Sequence, residues 1–161
     1  MKPQVSIIMG SLSDMPVMEG AVGFLRQMEV PFEVRALSAH RTPDKVAAYA
    51  KEAAQRGIQV IIAGAGGAAH LPGVIAAYTC IPVIGVPVKS AQSLAGLDSV
   101  LSILQMPSGI PVATMALDGA KNAAIYAVQI LALTDKELLQ KLEDFRKSMA
   151  HKVEQADGSV Q

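Results

Sequence analysis

Five short strand-like runs, about 22–29 residues apart over a chain of 161 residues, constrain this sequence more than any other feature. Val5–Met9, Phe32–Ala36, Val60–Ala63, Pro82–Val86 and Pro111–Met115 each read as a β-strand, and each leads through a turn into a segment of helical periodicity. Strands separated by helices pair in parallel through right-handed crossovers, and the helices then cover both faces of the sheet. The strands are therefore expected to be buried on both sides. The fold predicted is α/β, a three-layer α/β/α sandwich around a parallel sheet, of Rossmann or flavodoxin-like type. No linker or low-complexity segment divides residues 1–161, so one domain is expected.

Start and stop signals place the helices. Ser13 or Asp14 is expected to cap the first, which runs to about Met28 with Pro16 in its first turn. Thr42-Pro43-Asp44 predicts a second start with Thr as N-cap, and Gly57 closes that helix after about Arg56. Further helices are expected at about Leu71–Tyr78, Leu94–Leu104 and Gly119–Leu133. Thr134 and Asp135 cap a last, charged helix, a C-terminal extension from about residue 134 that frays at Ala156–Ser159. Gly119–Leu133 is apolar nearly all round, and one sheet covers one side only. A second subunit is the expected cover, with the charged last helix reaching over a neighbour.

Composition removes several classes of function. Lys plus Arg and Asp plus Glu both count 14, which argues against the basic stripe of a nucleic-acid binder. Apolar runs are broken before about 18 residues, so no membrane span is expected. Met1-Lys2-Pro3-Gln4 leads into a strand too short for a signal-peptide core, and the cytoplasm is the expected location. The single cysteine, Cys80, allows no intrachain disulfide and reads as a buried small hydrophobe. His40, His70 and His151 lack metal-ligand spacing, so no metal site is expected.

Three polar clusters follow the first three strands, where an open α/β sheet binds ligands. Gly10-Ser11-Leu12-Ser13-Asp14 offers backbone N–H groups and two hydroxyls at a helix start, suited to phosphate, though an ordinary capped turn would read the same. Asp14 would repel a phosphate, so its role is sought at sugar hydroxyls. Ser38-Ala39-His40-Arg41-Thr42-Pro43 brings a guanidinium able to grip two phosphate oxygens and an imidazole that a helix start keeps neutral. Gly64-Ala65-Gly66-Gly67-Ala68-Ala69 carries no side chain larger than methyl, which admits a ligand to the backbone or equally a close-packed helix.

With these clusters in view, the chain resembles the class I N5-carboxyaminoimidazole ribonucleotide mutases, the phosphoribosylaminoimidazole carboxylase catalytic subunits of the PurE family. The matching segments are Ile7–Ser11 with Ser13-Asp14, Ser38–Pro43, Ile61–Gly73, Pro82–Val88, Gly96–Ser99 and Gln105-Met106-Pro107 through Ala113-Thr114. Arg41-Thr42-Pro43 follows the class I pattern, where class II enzymes carry Lys-Gly-Pro. Met15 stands where the family usually has Trp, and Lys89 where Gln is common. The segment 89–95 looks one residue longer than usual and 116–122 two residues shorter.

The resemblance implies a ribonucleotide monophosphate substrate whose exocyclic amine carries a carboxylate, moved to ring carbon C4 without ATP, metal or organic cofactor. It implies His40 as general acid/base and substrate contacts from Ser11, Ser13, Asp14, Ser38, Ala39, Arg41, Gly66, Gly67, Ala68, His70 and Leu71. It also implies a homo-octamer. Two alternatives stay open on the sequence: a non-catalytic flavodoxin-like binder of a nucleotide or FMN, which an aromatic content of 4% disfavours, and direct carboxylation by dissolved CO2.

Overall fold

All five strands of the sheet run parallel in the order β2-β1-β3-β4-β5. The computed structural model describes residues 2–91 and 93–158. The strands are β1 (Val5–Met9), β2 (Phe32–Ala36), β3 (Val60–Gly66), β4 (Val83–Val88) and β5 (Ala113–Thr114). The helices are α1 (Met15–Gln27), α2 (Pro43–Glu52), α3 (Leu71–Ala76), α4 (Leu97–Leu104), α5 (Ala120–Ala132) and α6 (Lys136–Gly158). This is the flavodoxin-like order of a doubly wound sheet, whose direction of progress reverses between β1 and β3.

Alternate residues of the central strands supply two cores. Ile7, Met9, Ile62 and Val86 face α1, α5 and α6, while Ile8, Ile61, Ala63 and Val83 face α2, α3 and α4. Helix α1 approaches α5 closely because Gly20 faces Lys121; a β-carbon there would lie 3.3 Å from the Lys121 backbone nitrogen.

Several element boundaries differ from the sequence expectation. β3 continues three residues past Ala63, because Gly64, Ala65 and Gly66 pair with Val86, Pro87 and Val88 of β4; a central position overrides the poor strand propensity of Gly and Ala. β4 likewise runs on to Val88, and β5 shrinks to the two residues that pair with Ile84 and Gly85. α4 begins at Leu97 rather than Leu94, and α2 ends at Glu52, followed by turns that Gly57 closes at φ +94°. The fraying expected from Ala156 is absent, since α6 stays helical to Gly158; Ser159 lies outside the described residues.

Capping also differs. Neither Ser13 nor Asp14 caps α1 through its side chain; Ser11 instead accepts from the Ser13 N–H and caps a short 3₁₀ turn at Leu12–Asp14. Thr42 makes no side-chain cap on α2, because its hydroxyl is already bonded to Ser38. Asp135 does cap α6, accepting from Leu138 N–H at 3.0 Å, while the Thr134 hydroxyl turns back to the Leu131 carbonyl.

Burial corrects three further expectations. β2 has no buried residue, partly covered at Phe32 and Glu33 and exposed from Val34 to Ala36, since it is an edge strand. Cys80 is exposed in the connection from α3 to β4. The α5 surface that seemed to need another subunit is largely covered within the chain: Ala120, Ala123, Ala124, Ala127, Val128 and Leu131 are buried against α1, α6 and the sheet. α6 likewise finds packing in its own domain through Leu138, Leu142 and the edge-on contact of Phe145 with Phe24 at 5.0 Å, whereas residues 146–157 are exposed. No helix among the described residues is long and apolar enough to cross a membrane.

Candidate functional site

The carboxyl ends of β1, β2 and β3 bring the three polar clusters together. Leu37 N–H donates to the Met9 carbonyl at 2.9 Å, and Gly10 N–H to the Gly64 carbonyl at 3.2 Å, so the strand ends are tied in register. A cavity of about 280 Å³ opens above them. Its walls include Ser11, Ser13, Asp14, Ser38, Ala39, His40, Arg41, Gly66, Ala68, His70 and Leu71. Of the sequence candidates Gly67 alone is not on the wall; it turns the chain at φ +60° between Gly66 and Ala68.

Gly10, Ala65 and Ser90 also line the cavity but were not among the candidates. Ser90 lies just past the end of β4, so the rule that singled out the other loops would have found it. A β-carbon on Gly66 would come within 3.0 Å of the Val88 carbonyl and 3.1 Å of Ser90 Cβ, so this glycine admits the β4–α4 loop. Gly64 serves close packing as well, against Met18. A second cavity shares Ser13, Asp14 and Ser90 with the first and extends to Lys89.

The Ser38–Arg41 loop is held by reciprocal bonds. Ser38 N–H donates to Thr42 Oγ1 at 3.1 Å, and Thr42 Oγ1 donates to the Ser38 carbonyl at 3.0 Å. Ser38 Oγ accepts from the Arg41 backbone N–H at 3.2 Å. The guanidinium reaches Ser38 Oγ at 3.4 Å and the Gly10 carbonyl at 3.5 Å, both long for hydrogen bonds, so its donors are poorly used within the protein. His40, at the exposed end of the loop, places Nε2 2.8 Å from His70 Nδ1. The His70 backbone N–H is committed to the Ala68 carbonyl at 2.8 Å.

Asp14 is the buried carboxylate of the site, 6% exposed. Burial pushes its carboxyl above the ordinary range, against the Ser11 backbone N–H and the Ser13 hydroxyl, which favour the charged form. Among the described residues, no three His, Cys, Asp or Glu side chains group as a metal cluster.

The sequence matches the AIR carboxylase family over residues 4–152. The chain belongs to the AIR carboxylase family. Its relatives include the N5-carboxyaminoimidazole ribonucleotide mutase of Pyrococcus horikoshii, 60% identical over 96% of this chain and 86% of the relative. The mutase of Saccharolobus solfataricus is 56% identical over 94% of this chain and 95% of the relative. Among solved structures, the crystal structure of Treponema denticola PurE superposes with a TM-score of 0.87 at 31% identity, covering 99% of each chain. These are enzymes, and the AIR carboxylase fold is the flavodoxin-like sheet described above.

In this member of the family the segments 89–95 and 116–122 touch each other. Lys89 N–H donates to Asp118 Oδ1 at 2.9 Å, and Asp118 N–H donates to the Pro87 carbonyl at 2.8 Å. These two segments thus form one rim beside the cavity; Gln92, within the first of them, lies outside the described residues.

Proposed function

We propose that this member of the AIR carboxylase family is an N5-carboxyaminoimidazole ribonucleotide mutase of purine biosynthesis, moving the carboxylate from the exocyclic N5 to ring C4. The observation that carries the reading is one cavity lined by a histidine, a guanidinium with underused donors, a buried carboxylate and a wall of Gly and Ala backbone. The mutases among its relatives support the same substrate.

Ser11, Ser38 and Arg41 hold the phosphate, since a guanidinium fork spans two phosphate oxygens and hydroxyls add donors. Asp14 accepts from the ribose hydroxyls, which return to the carboxylate some of the hydrogen bonding that burial removed. Ser13, Ala39, Gly66, Ala68, His70 and Leu71 complete the enclosure of the aminoimidazole and its carboxylate, with Gly67 turning the chain between Gly66 and Ala68.

His40 is the general acid/base. It protonates the carbamate nitrogen as the N–C bond breaks, giving CO2 and an electron-rich aminoimidazole. The small-residue wall keeps CO2 beside C4 and excludes water. C4 attacks CO2, and His40 removes the C4 proton, restoring aromaticity. One proton goes in and one comes out, so the balance requires no ATP, metal or organic cofactor. By family resemblance the enzyme works as a cytoplasmic homo-octamer.

Direct carboxylation by dissolved CO2 would use the same groups, and an isotope experiment separates the two readings. Substrate labelled with ¹³C at the carbamate carbon is turned over in excess unlabelled bicarbonate. Retention of ¹³C in the product is expected. Complete washout would overturn intramolecular transfer.

A further inference from the structure

His40 does not stand alone in the cavity. Its Nε2 lies 2.8 Å from Nδ1 of His70, with the rings 85° apart. At that distance one nitrogen donates and the other accepts, so a single proton occupies the contact. Two imidazolium rings cannot meet nitrogen to nitrogen there, because both nitrogens would carry a proton. Neither ring has another hydrogen-bond partner among the described residues. The loops behind the rings are fixed, His40 by the Ser38–Thr42 bonds and His70 by its N–H on the Ala68 carbonyl.

We infer that His70 is a positioning residue for His40: its Nδ1 accepts from His40 Nε2–H and thereby leaves His40 Nδ1 as the nitrogen that trades protons with substrate. The inference rests on the reading of His40 as the acid/base. With Nε2–H directed to His70, neutral His40 carries its lone pair on Nδ1, and protonated His40 carries its transferable proton there. The transfer to the carbamate nitrogen therefore leaves Nε2–H in place, and the C4 proton returns to the same Nδ1. The His70 contact also strengthens when His40 is charged, because a charged donor makes the stronger bond. Around the pair, Asp14 faces the cavity from the β1–α1 turn and Arg41 from the loop of His40 itself, one charge of each sign. β3 and α3 contribute no titratable side chain.

The test uses two substitutions at His70, an exposed position where neither disturbs a core. His70→Leu removes the acceptor, while His70→Asn offers an amide oxygen near the place of Nδ1. Loss of the group that orients a metal-bound histidine typically costs about 10–100-fold, and a loss of that order is expected here. His70→Leu is expected to lower kcat by that factor and to shift the pH profile of kcat, and His70→Asn to recover most of the loss in kcat, whatever either does to KM through contact with substrate. In ¹⁵N-histidine spectra of the free enzyme, with His40→Asn used to assign the signals, neutral His40 is expected as the Nε2–H tautomer, and His70→Leu is expected to mix the tautomers. Wild-type kcat and pH profile in His70→Leu, or His40 found as the Nδ1–H tautomer, overturns the inference. Normal turnover by His40→Asn overturns the acid/base reading itself. An inactive His40→Asn beside an unimpaired His70→Leu removes only the positioning role.

Discussion

Gly10 N–H donates to the Gly64 carbonyl at 3.2 Å, which joins the first residue past β1 to β3 and sets the Ser11 turn beside the Gly66–Ala68 wall. Gly64 has no room for a side chain, because a β-carbon there would lie 2.5 Å from Met18 Sδ. Gly64→Ala must therefore push α1 or the Met18 side chain away. The expected destabilisation is about 1–3 kcal/mol, read as a lower denaturant midpoint with unchanged slope. A wild-type midpoint would show that Met18 yields freely.

Arg41→Lys replaces a planar fork with a point charge at a position where the fork's donors are underused within the protein. KM is expected to rise roughly 10–100-fold, the equivalent of one charge-assisted hydrogen bond. The loss should fall on phosphorylated substrate and spare the dephosphorylated nucleoside. Equal loss for both would place the phosphate elsewhere.

Asp14 should trade stability for function. Its carboxyl is raised in the folded state chiefly by burial, so ionisation opposes folding. The sign follows: its contribution to stability is greatest below the unfolded carboxylate range and declines as pH rises through the folded value. Asp14→Asn removes that decline. The variant is expected to have a higher Tm than wild type at neutral pH while KM rises for the ribonucleotide. A lower Tm at neutral pH contradicts the burial argument.

Glu33 has the opposite sign. Burial pushes its carboxyl up, but hydrogen bonds from Tyr49, Arg56 and Ser6 together outweigh burial and hold it below the ordinary range. Its contribution is present above the unfolded carboxylate value and lost as pH falls through the folded one. Glu33→Gln should cost roughly 1–3 kcal/mol at neutral pH, with the gap to wild type closing in acid. Tyr49, pushed up to about 12 by burial and then by Glu33, adds stability that is lost above pH 10. Urea midpoints measured across pH for wild type, Glu33→Gln and Tyr49→Phe check both limbs. A gap that widens in acid would reverse the assignment for Glu33.

The proposed octamer can be tested at α4, whose Leu97, Leu101 and Leu104 are 59%, 47% and 55% exposed while Ser99 and Ile103 point inward. Sedimentation equilibrium is expected to give an assembly well above the monomer. Leu101→Glu should shift it towards smaller species with the far-UV spectrum intact. A wild-type monomer with full activity would remove the assembly from the proposal.

Much of the fold was legible because its signals are local. Strand runs at βαβ spacing and Pro16, Pro43 and Gly57 at helix or turn boundaries need no knowledge of distant residues. Failures came where a distant partner decided. Gly64–Gly66 became strand because β4 pairs with it, and Thr42, although it stands at the N-cap of α2, makes no side-chain cap bond because Ser38 holds its hydroxyl. β2 lost burial through its place at the edge, and α5 found its cover in α1 and α6.

For the site, the sequence by itself determined which loops bear chemistry, since the turns between strand ends and helix starts concentrate Ser, His, Arg and Gly residues where an open α/β sheet binds ligands. It could not determine which of those residues meet. His40 and His70 lie thirty positions apart, on loops from strands that do not pair, and they touch only because β1 separates β2 from β3 by one strand width on either side. Ser90 reached the same cavity because Gly66 admits its loop. Such contacts depend on sheet order and on the absence of a β-carbon at particular points, and only the tertiary structure decides both.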